Sequence, residues 1–257
     1  AAYGAYLTNN FEAANKYIEQ AKAANPKEPY VYSTQVGIAS KDRPFEEILA
    51  DVPQEMIQTE RVALALGFAA LHRDKIDEAV EFFERGHEIK PDDIEVTGAL
   101  GSALLEQLYK VKDSLVTGQV NEDLNKALKR TGDLLQTAWN SVRTTDLNQQ
   151  RFSWAINLAQ VRRQQNLHNE AKDLLNEALV LSPNDSDAHK LSAIVAYELD
   201  DLKGAISHAK QVSEDKSPEK PLLLAQYHSS NNESEEAITA LNHAISSGRD
   251  NNIKIFA

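Results

Sequence analysis

The sequence predicts an all-α chain built from a repeated helix pair. Composition, helical periodicity and internal repetition carry that expectation. In 257 residues there are only 10 Gly and 8 Pro, too few for a many-turned β-sandwich, while the good helix formers Ala, Leu, Glu, Lys and Gln are abundant. With 42% hydrophobic and 26% charged residues the composition is that of an ordinary folded chain. Four segments align with little adjustment: NNFEAANKYIEQAKAANP (9–26), RDKIDEAVEFFERGHEIKP (73–91), QQNLHNEAKDLLNEALVLSP (164–183) and LDDLKGAISHAKQVSEDKSP (199–218). Each has a polar turn, a bulky residue, an alanine three residues on, a large apolar residue or its substitute four later, and a closing proline. A fifth segment, 230–248, keeps the pattern without the proline. Upstream of each turn lies another amphipathic helix, clearest from Arg61 to His72.

The spacing of the diagnostic alanine sets out the elements in order. The step from Ala14 to Ala79 is close to two repeat units, so an incomplete pair near 1–27 is followed by a degenerate one at 28–59. The latter has Tyr32, Val36 and Ala39 on its first helix, and Pro44 and Pro53 bracket a short second one. The best-formed pair occupies 60–93. The step from Ala79 to Ala171 exceeds two units by most of a further one, which places an expansion in 94–151. There a first helix from Ile94 to Tyr109 leads to a loop around Thr117-Gly118-Gln119 and a long helix near Asn121 to Ser141. Ala171 to Ala205 is one unit and Ala205 to Ala237 nearly one, giving contiguous pairs at 152–185, 186–217 and 218–251. The apolar strip Ile253 to Ala257 (252–257) reads as the start of a further helix, and a chain opening on Ala1 reads as a processed chain or an excised fragment. Long insertions tend to carry function or mobility, so Val111 to Val120 is expected to protrude or move. The long helix is expected to bend the array or to make a lateral contact through Trp139.

In 60–93, Leu66-Gly67 is followed by Ala79 and Phe83 as A-x3-F and by Pro91. In 152–185 the matching residues are Leu158, Ala159, Ala171, Leu175, Ala178 and Pro183, and in the next unit Ala193, Ala196, Ala205 and Ala209. On these residues the chain resembles the tetratricopeptide repeat family, whose 34-residue unit reads W-x2-L-G-x2-Y, then A-x3-F, then P. It departs at the first aromatic slot, which holds Ala63, Ala155 and His189, and at the Tyr slot, which holds Ala70, Arg162 and Ala196. Sel1- and HEAT-type solenoids fit this phase less well. The resemblance covers essentially the whole chain and implies a right-handed α-solenoid of about seven helix pairs, the fourth expanded, in a single array over 1–257.

The resemblance further implies a non-catalytic scaffold that holds a partner segment in the groove lined by the first helices, through the second, fifth, ninth and twelfth places of each unit. Those places hold Tyr3, Tyr6, Tyr32, Val36, Leu64, Phe68 and Leu71 toward the N-terminus, then Ser102, Ser153, Gln160, Arg163, Lys190, Gln226 and Ser229. The expected partner-binding set is therefore Tyr32, Val36, Leu64, Phe68, Leu71, Gln160, Arg163 and Lys190. A stripe at helical spacing also reads as core, most of all at Tyr3 and Tyr6 and less at Phe68 and Tyr32. The family's grip on a C-terminal carboxylate is missing, because its Asn slot holds Phe68, Ser102, Gln160 or Ile194.

Other classes fall away on chemistry. Against 39 Asp and Glu stand 27 Lys and Arg, and a formal charge of −12 opposes binding to nucleic acid. No cysteine offers a thiol nucleophile or metal ligand, and no phosphate loop, dinucleotide fingerprint, H-E-x-x-H or nucleophile elbow occurs. Neither an enzyme activity nor a cofactor is expected. His189, His208, His228 and His243 fall late in the chain but lack the spacing of a zinc site. Asp185 and Asp187 read as a helix N-cap in a turn, and the two glycosylation-type triplets at Asn184 and Asn232 read as chance matches. The longest apolar run, Val62 to Leu71, is about half of the ~20 residues that span a bilayer, so no membrane span is expected. A protein or peptide partner, a second copy of the chain included, is the expectation. The cytoplasm is the expected compartment, with the periplasm or secretion as the alternative. A regulatory or targeting region of a larger enzyme and a peptide or small-molecule sensor are the competing functional readings.

Overall fold

The computed structural model describes residues 1–8, 10–114, 122–215 and 217–246, the side chains of 111–114 excepted. Among them are fifteen α-helices and no strand. The chain divides into two compact units, Ala1–Ser141 and Val142–Ala257. The first holds α1 (Ala2–Leu7), α2 (Phe11–Ala24), α3 (Pro29–Ala39), α4 (Phe45–Ala50), α5 (Gln54–Ile57), α6 (Glu60–Leu71), α7 (Ile76–Ile89), α8 (Ile94–Ser114) and α9 (Glu122–Val142). The second holds α10 (Asn148–Gln164), α11 (His168–Leu181), α12 (Ser186–Glu198), α13 (Leu202–Gln211), α14 (Lys220–Ser230) and α15 (Ser234–Ser246). Helices pack first on the partner in their pair (α6 with α7, α10 with α11, α12 with α13, α14 with α15) and next on the helix that follows. That is the nearest-neighbour pattern of a repeat fold.

Two kinds of turn recur because the same local chemistry recurs. Within a pair, the chain reverses through one residue in the left-handed region: Asp74, Asn166, Asp200 and Asn232, with φ of 57°, 60°, 60° and 60°. Asn and Asp tolerate this conformation better than other side chains bearing a Cβ. The residue after each donates its N–H to a carbonyl five residues back: Lys75 to Ala70, Leu167 to Arg162, Asp201 to Ala196 and Glu233 to His228, all at 2.8–3.1 Å. Between pairs, Asn25, Lys90 and Ser182 adopt nearly one conformation, with φ between −147° and −139°, because the following proline excludes the α region. The next helix is then capped by a side chain: Asp93 accepts from Glu95 and Val96, and Asp185 from Ala188 at 2.8 Å.

The diagnostic alanines are buried: Ala14, Ala79, Ala171 and Ala205 are 0% exposed and Ala237 is 7%. At the matching point of the first helix the demand is steeper. A Cβ on Gly67 would lie 2.4 Å from the Phe83 ring, and one on Gly101 would lie 2.8 Å from Leu135. Those glycines let α6 close on α7 and α8 close on α9.

The 28–59 pair has its second helix broken in two, α4 and α5, with Pro44 and Pro53 at their N-caps. α8 runs on past its expected end at Tyr109, to Ser114. The loop around Thr117-Gly118-Gln119, the rest of the stretch to Val120 and the strip Ile253 to Ala257 lie outside the described residues. Trp139, expected to make a lateral contact, is only 2% exposed beside the fully buried Ala138 and Leu135; it sits on the apolar stripe of α9 and belongs to the core. No helix among the described residues is long and apolar enough to cross a membrane.

The close approach predicts opposite outcomes at two glycines. Gly67→Ala should destabilise the chain by about 1–3 kcal/mol, since the Phe83 ring must move. Gly37→Ala, on a helix with open space where the Cβ would stand, should gain about 0.5–1 kcal/mol from helix propensity. Urea midpoints of the two variants check this, and a neutral Gly67→Ala would contradict the packing.

Candidate functional site

Leu64, Phe68 and Leu71 follow one another at spacings of four and three along α6 and so share a face. Phe68 is 40% exposed, and its ring meets Phe83 of α7 edge-on, at 5.2 Å and 72°. Leu64 and Leu71 are half-buried against the core of this unit. An exposed aromatic flanked by two leucines is an apolar strip of the sort that anchors interfaces.

Tyr32 and Val36, expected on the same strip, lie in the core instead. Tyr32 is 6% exposed and Val36 0%, and the Tyr32 hydroxyl donates to the Pro26 carbonyl at 3.0 Å. The cause is the origin of the degenerate repeat. Pro29 is the first residue of α3, as Glu60 is of α6, so the unit starts at 29 rather than 28. One residue turns an α-helix by about 100°, enough to exchange a groove position for a core position. With the origin corrected, the second place of the unit is Tyr30, which is 58% exposed, and its counterpart one repeat on is Arg61, whose guanidinium lies 5.5 Å from the Tyr30 ring centroid. Proline at the first helical position was the available signal.

In the second unit the expected face is polar. Gln160 and Arg163 on α10 and Lys190 on α12 are partly exposed. Arg163 grips Glu198 of α12, its Nε 2.8 and 2.9 Å from the two carboxylate oxygens and its Nη2 2.6 Å from one of them. His168 Nδ1 lies 3.1 Å from the same carboxylate. Lys190 is ion-paired with Glu219, the N-cap residue of α14. Both cations thus tie one first helix to the next, and a ligand carboxylate reaching either would compete with a partner already in place.

The four late histidines separate into pairs with other groups. His228 Nδ1 meets the Glu233 carboxylate, and His243 Nε2 lies 3.6 Å from Glu214. His189 and His208 face each other with Nδ1 atoms 3.0 Å apart, while His189 Nε2 lies 2.9 Å from the Pro183 carbonyl. With both rings neutral one assignment satisfies these contacts: His189 donates from Nε2 to Pro183, and His208 donates from Nδ1 to His189. No group of three or more His, Asp or Glu suited to a metal ion occurs among the described residues.

No family model matches the sequence, and no curated protein does either. Solved structures do. Over 86% of this chain and 40% of the other, it superposes on a chain of the APC/C hetero-tetramer Cut9-Hcn1 with a TM-score of 0.61 and 19% identity. The chain therefore spans less than half the length of that protein. MamA from Desulfovibrio magneticus RS-1 matches with a TM-score of 0.56 and 14% identity, over 75% of this chain and 97% of its own. YrrB, described as a TPR protein with an unusual peptide-binding site, matches with a TM-score of 0.55 and 15% identity over 81% and 94%. The chain has the tetratricopeptide-repeat fold. Its glycine and alanine contacts are this fold's helix-pair packing, realised without the aromatic residues that usually mark the repeat.

The histidine pair gives a pH prediction for this tetratricopeptide-fold chain. Burial holds the His208 imidazole below its ordinary value of 6.5, His189 adds to this, Asp201 opposes it and Lys172 reinforces it. The unfolded chain therefore takes up this proton first as pH falls through about 6.5. Stability from the neutral His208 imidazole is complete above that value and is lost below it. Between about pH 7.5 and about pH 5.5, His208→Gln should lose less stability than wild type, as read from urea midpoints; parallel losses would show that His208 does not titrate in this way.

Proposed function

We infer that the chain is a non-catalytic scaffold that holds a segment of a partner protein on the first-helix face of α3 and α6. The observation that carries this reading is Phe68, exposed between half-buried Leu64 and Leu71, together with the exposed Tyr30 stacked by Arg61 on the neighbouring first helix. Tyr, Phe and Arg on a rigid helical floor are residue types that concentrate binding energy. An amphipathic helix or extended segment would lay its apolar side chains on this strip. The fold neighbours support the class of function by what is said of them: Cut9-Hcn1 is a hetero-tetramer and YrrB has a peptide-binding site.

Gln160, Arg163 and Lys190 would take a secondary part. The ion pairs of the two cations with Glu198 and Glu219 must open or be shared before they reach a ligand, so they tune selectivity and salt dependence more than affinity. In this reading the repeats of 1–257 act as one array.

The test is quantitative capture of the partner. Phe68→Ala and Tyr30→Ala should each weaken the complex by about 2 kcal/mol, roughly thirtyfold, if they are anchors, while Val180→Ser on α11 leaves it unchanged. Melting temperatures measured alongside separate loss of binding from loss of fold. If all three variants hold the partner as wild type does, the first-helix face of α3 and α6 is not the binding surface.

A further inference from the structure

The long helix of the expanded repeat lines a cavity of the first unit that shares no residue with the Leu64, Phe68 and Leu71 strip. Between the C-terminal end of α7, the start of α8 and the outer flank of α9 lies a cavity of about 430 Å3, within the ~300–1,000 Å3 range of ligand clefts. Lys126, Lys129 and Arg130 from successive turns of α9 line one wall, at the i, i+3 and i+4 spacing that puts them on one face. Pro91 and Leu134 supply apolar surface, and Asp133 is the single acid among the described lining residues. In a chain of formal charge −12 this wall is locally balanced, three cations standing against Asp133 in the lining and the ion-pair partners Glu84 and Glu122 beside it.

The cations differ in how firmly they are held. Arg130 Nη2 is 2.7 Å from Glu84 of α7, which orients the guanidinium from one end. Lys126 pairs with Glu122 at 3.1 Å, but the two side chains are 68% and 86% exposed, and so open an ion pair exchanges readily. Lys129 is exposed and forms no ion pair among the described residues. On the inner wall Thr97, 2% exposed, donates its hydroxyl to the Asp93 carbonyl at 2.8 Å, and its oxygen lies 3.3 Å from His87 Nδ1, so it has no proton left for a ligand. The cations all come from α9.

We propose that this cavity docks an acidic segment of a protein partner, with one carboxylate set between Lys129 and Arg130 and its methylenes on Leu134 and Pro91. Charge complementarity names the occupant, since a short acidic segment meets the cations at close range. A long polyanion would feel the repulsion of the rest of the chain within a Debye length of about 8–10 Å. The site is independent of the first-helix strip that carries Phe68, so each can fail alone.

The probe is a fluorescein-labelled hexaglutamate peptide, followed by anisotropy with the full chain. The chain has other exposed cations, Lys172 among them, so the lysine variants assign the binding to the cavity. Saturable binding is expected at about 20 mM salt and at least tenfold weaker binding at about 500 mM. Lys126→Glu with Lys129→Glu should weaken it by at least tenfold, and Lys126→Gln with Lys129→Gln by an intermediate factor. Phe68→Ala and Tyr30→Ala should leave it unchanged. These lysines are exposed and circular dichroism confirms that the variants fold. Absence of saturable binding to wild type, equal binding to the charge-reversed variant, or displacement by inorganic phosphate as readily as by unlabelled hexaglutamate would each overturn the proposal, the last by assigning the cavity to phosphate.

Discussion

The structure rests on how closely the two helices of each pair can approach. At Gly67 the ring of Phe83 occupies the space in which a Cβ would stand, and at Gly101 Leu135 does the same. The corresponding first-helix positions hold Ala159, Ala193 and Ala225, which are 0%, 0% and 5% exposed. A larger side chain at any of them would push a helix away and open the core on which neighbouring pairs rest. These small residues recur at close to one repeat length everywhere except between Gly101 and Ala159, so the whole of the expansion falls there. Packing fixes the register, and the register decides which side chains reach solvent.

This constraint made much of the fold legible in the sequence, because small residues at a fixed period and the prolines after four of the second helices act locally. The same locality explains what was missed. In 28–59 no small residue marks the crossing, since Val36 stands there, and an origin displaced by one residue sent Tyr32 and Val36 to the wrong face and hid Tyr30. The partners of Arg163 and Lys190 lie 35 and 29 residues further on, on the next first helix or its cap, and nothing near the cations in sequence announces Glu198 or Glu219. Trp139 was misplaced because an aromatic in a polar-rich helix looks available until its stripe is known to face the core.

The first-helix faces of the two units spend their side chains differently. On α3 and α6 the exposed Tyr30 and Phe68 stand beside Arg61 and the half-buried Leu64 and Leu71, and burial of the apolar groups would remove area from water at roughly 25 cal/mol per Å2. On α10 and α12 the cations Arg163 and Lys190 are already neutralised by the next first helix or its cap, which costs a charged ligand an exchange of partners. Under the proposed reading, the first face would favour apolar ligands and the second would discriminate among charged ones.

The expanded repeat also bears on how the chain is made. Gly67 meets Phe83 less than half a repeat later in the chain, whereas Gly101 must wait a whole repeat length for Leu135. Doubling the loop costs only about 0.6 kcal/mol in closure entropy, so equilibrium stability scarcely registers it. Time does. At a synthesis rate of roughly 5–20 residues per second, that extra half repeat holds α8 without its partner on the ribosome for roughly one to four seconds. During that interval α8 can pack on α7 but the surface around Gly101 that α9 covers is bare, which makes the fourth repeat the place where a chaperone would meet the nascent chain.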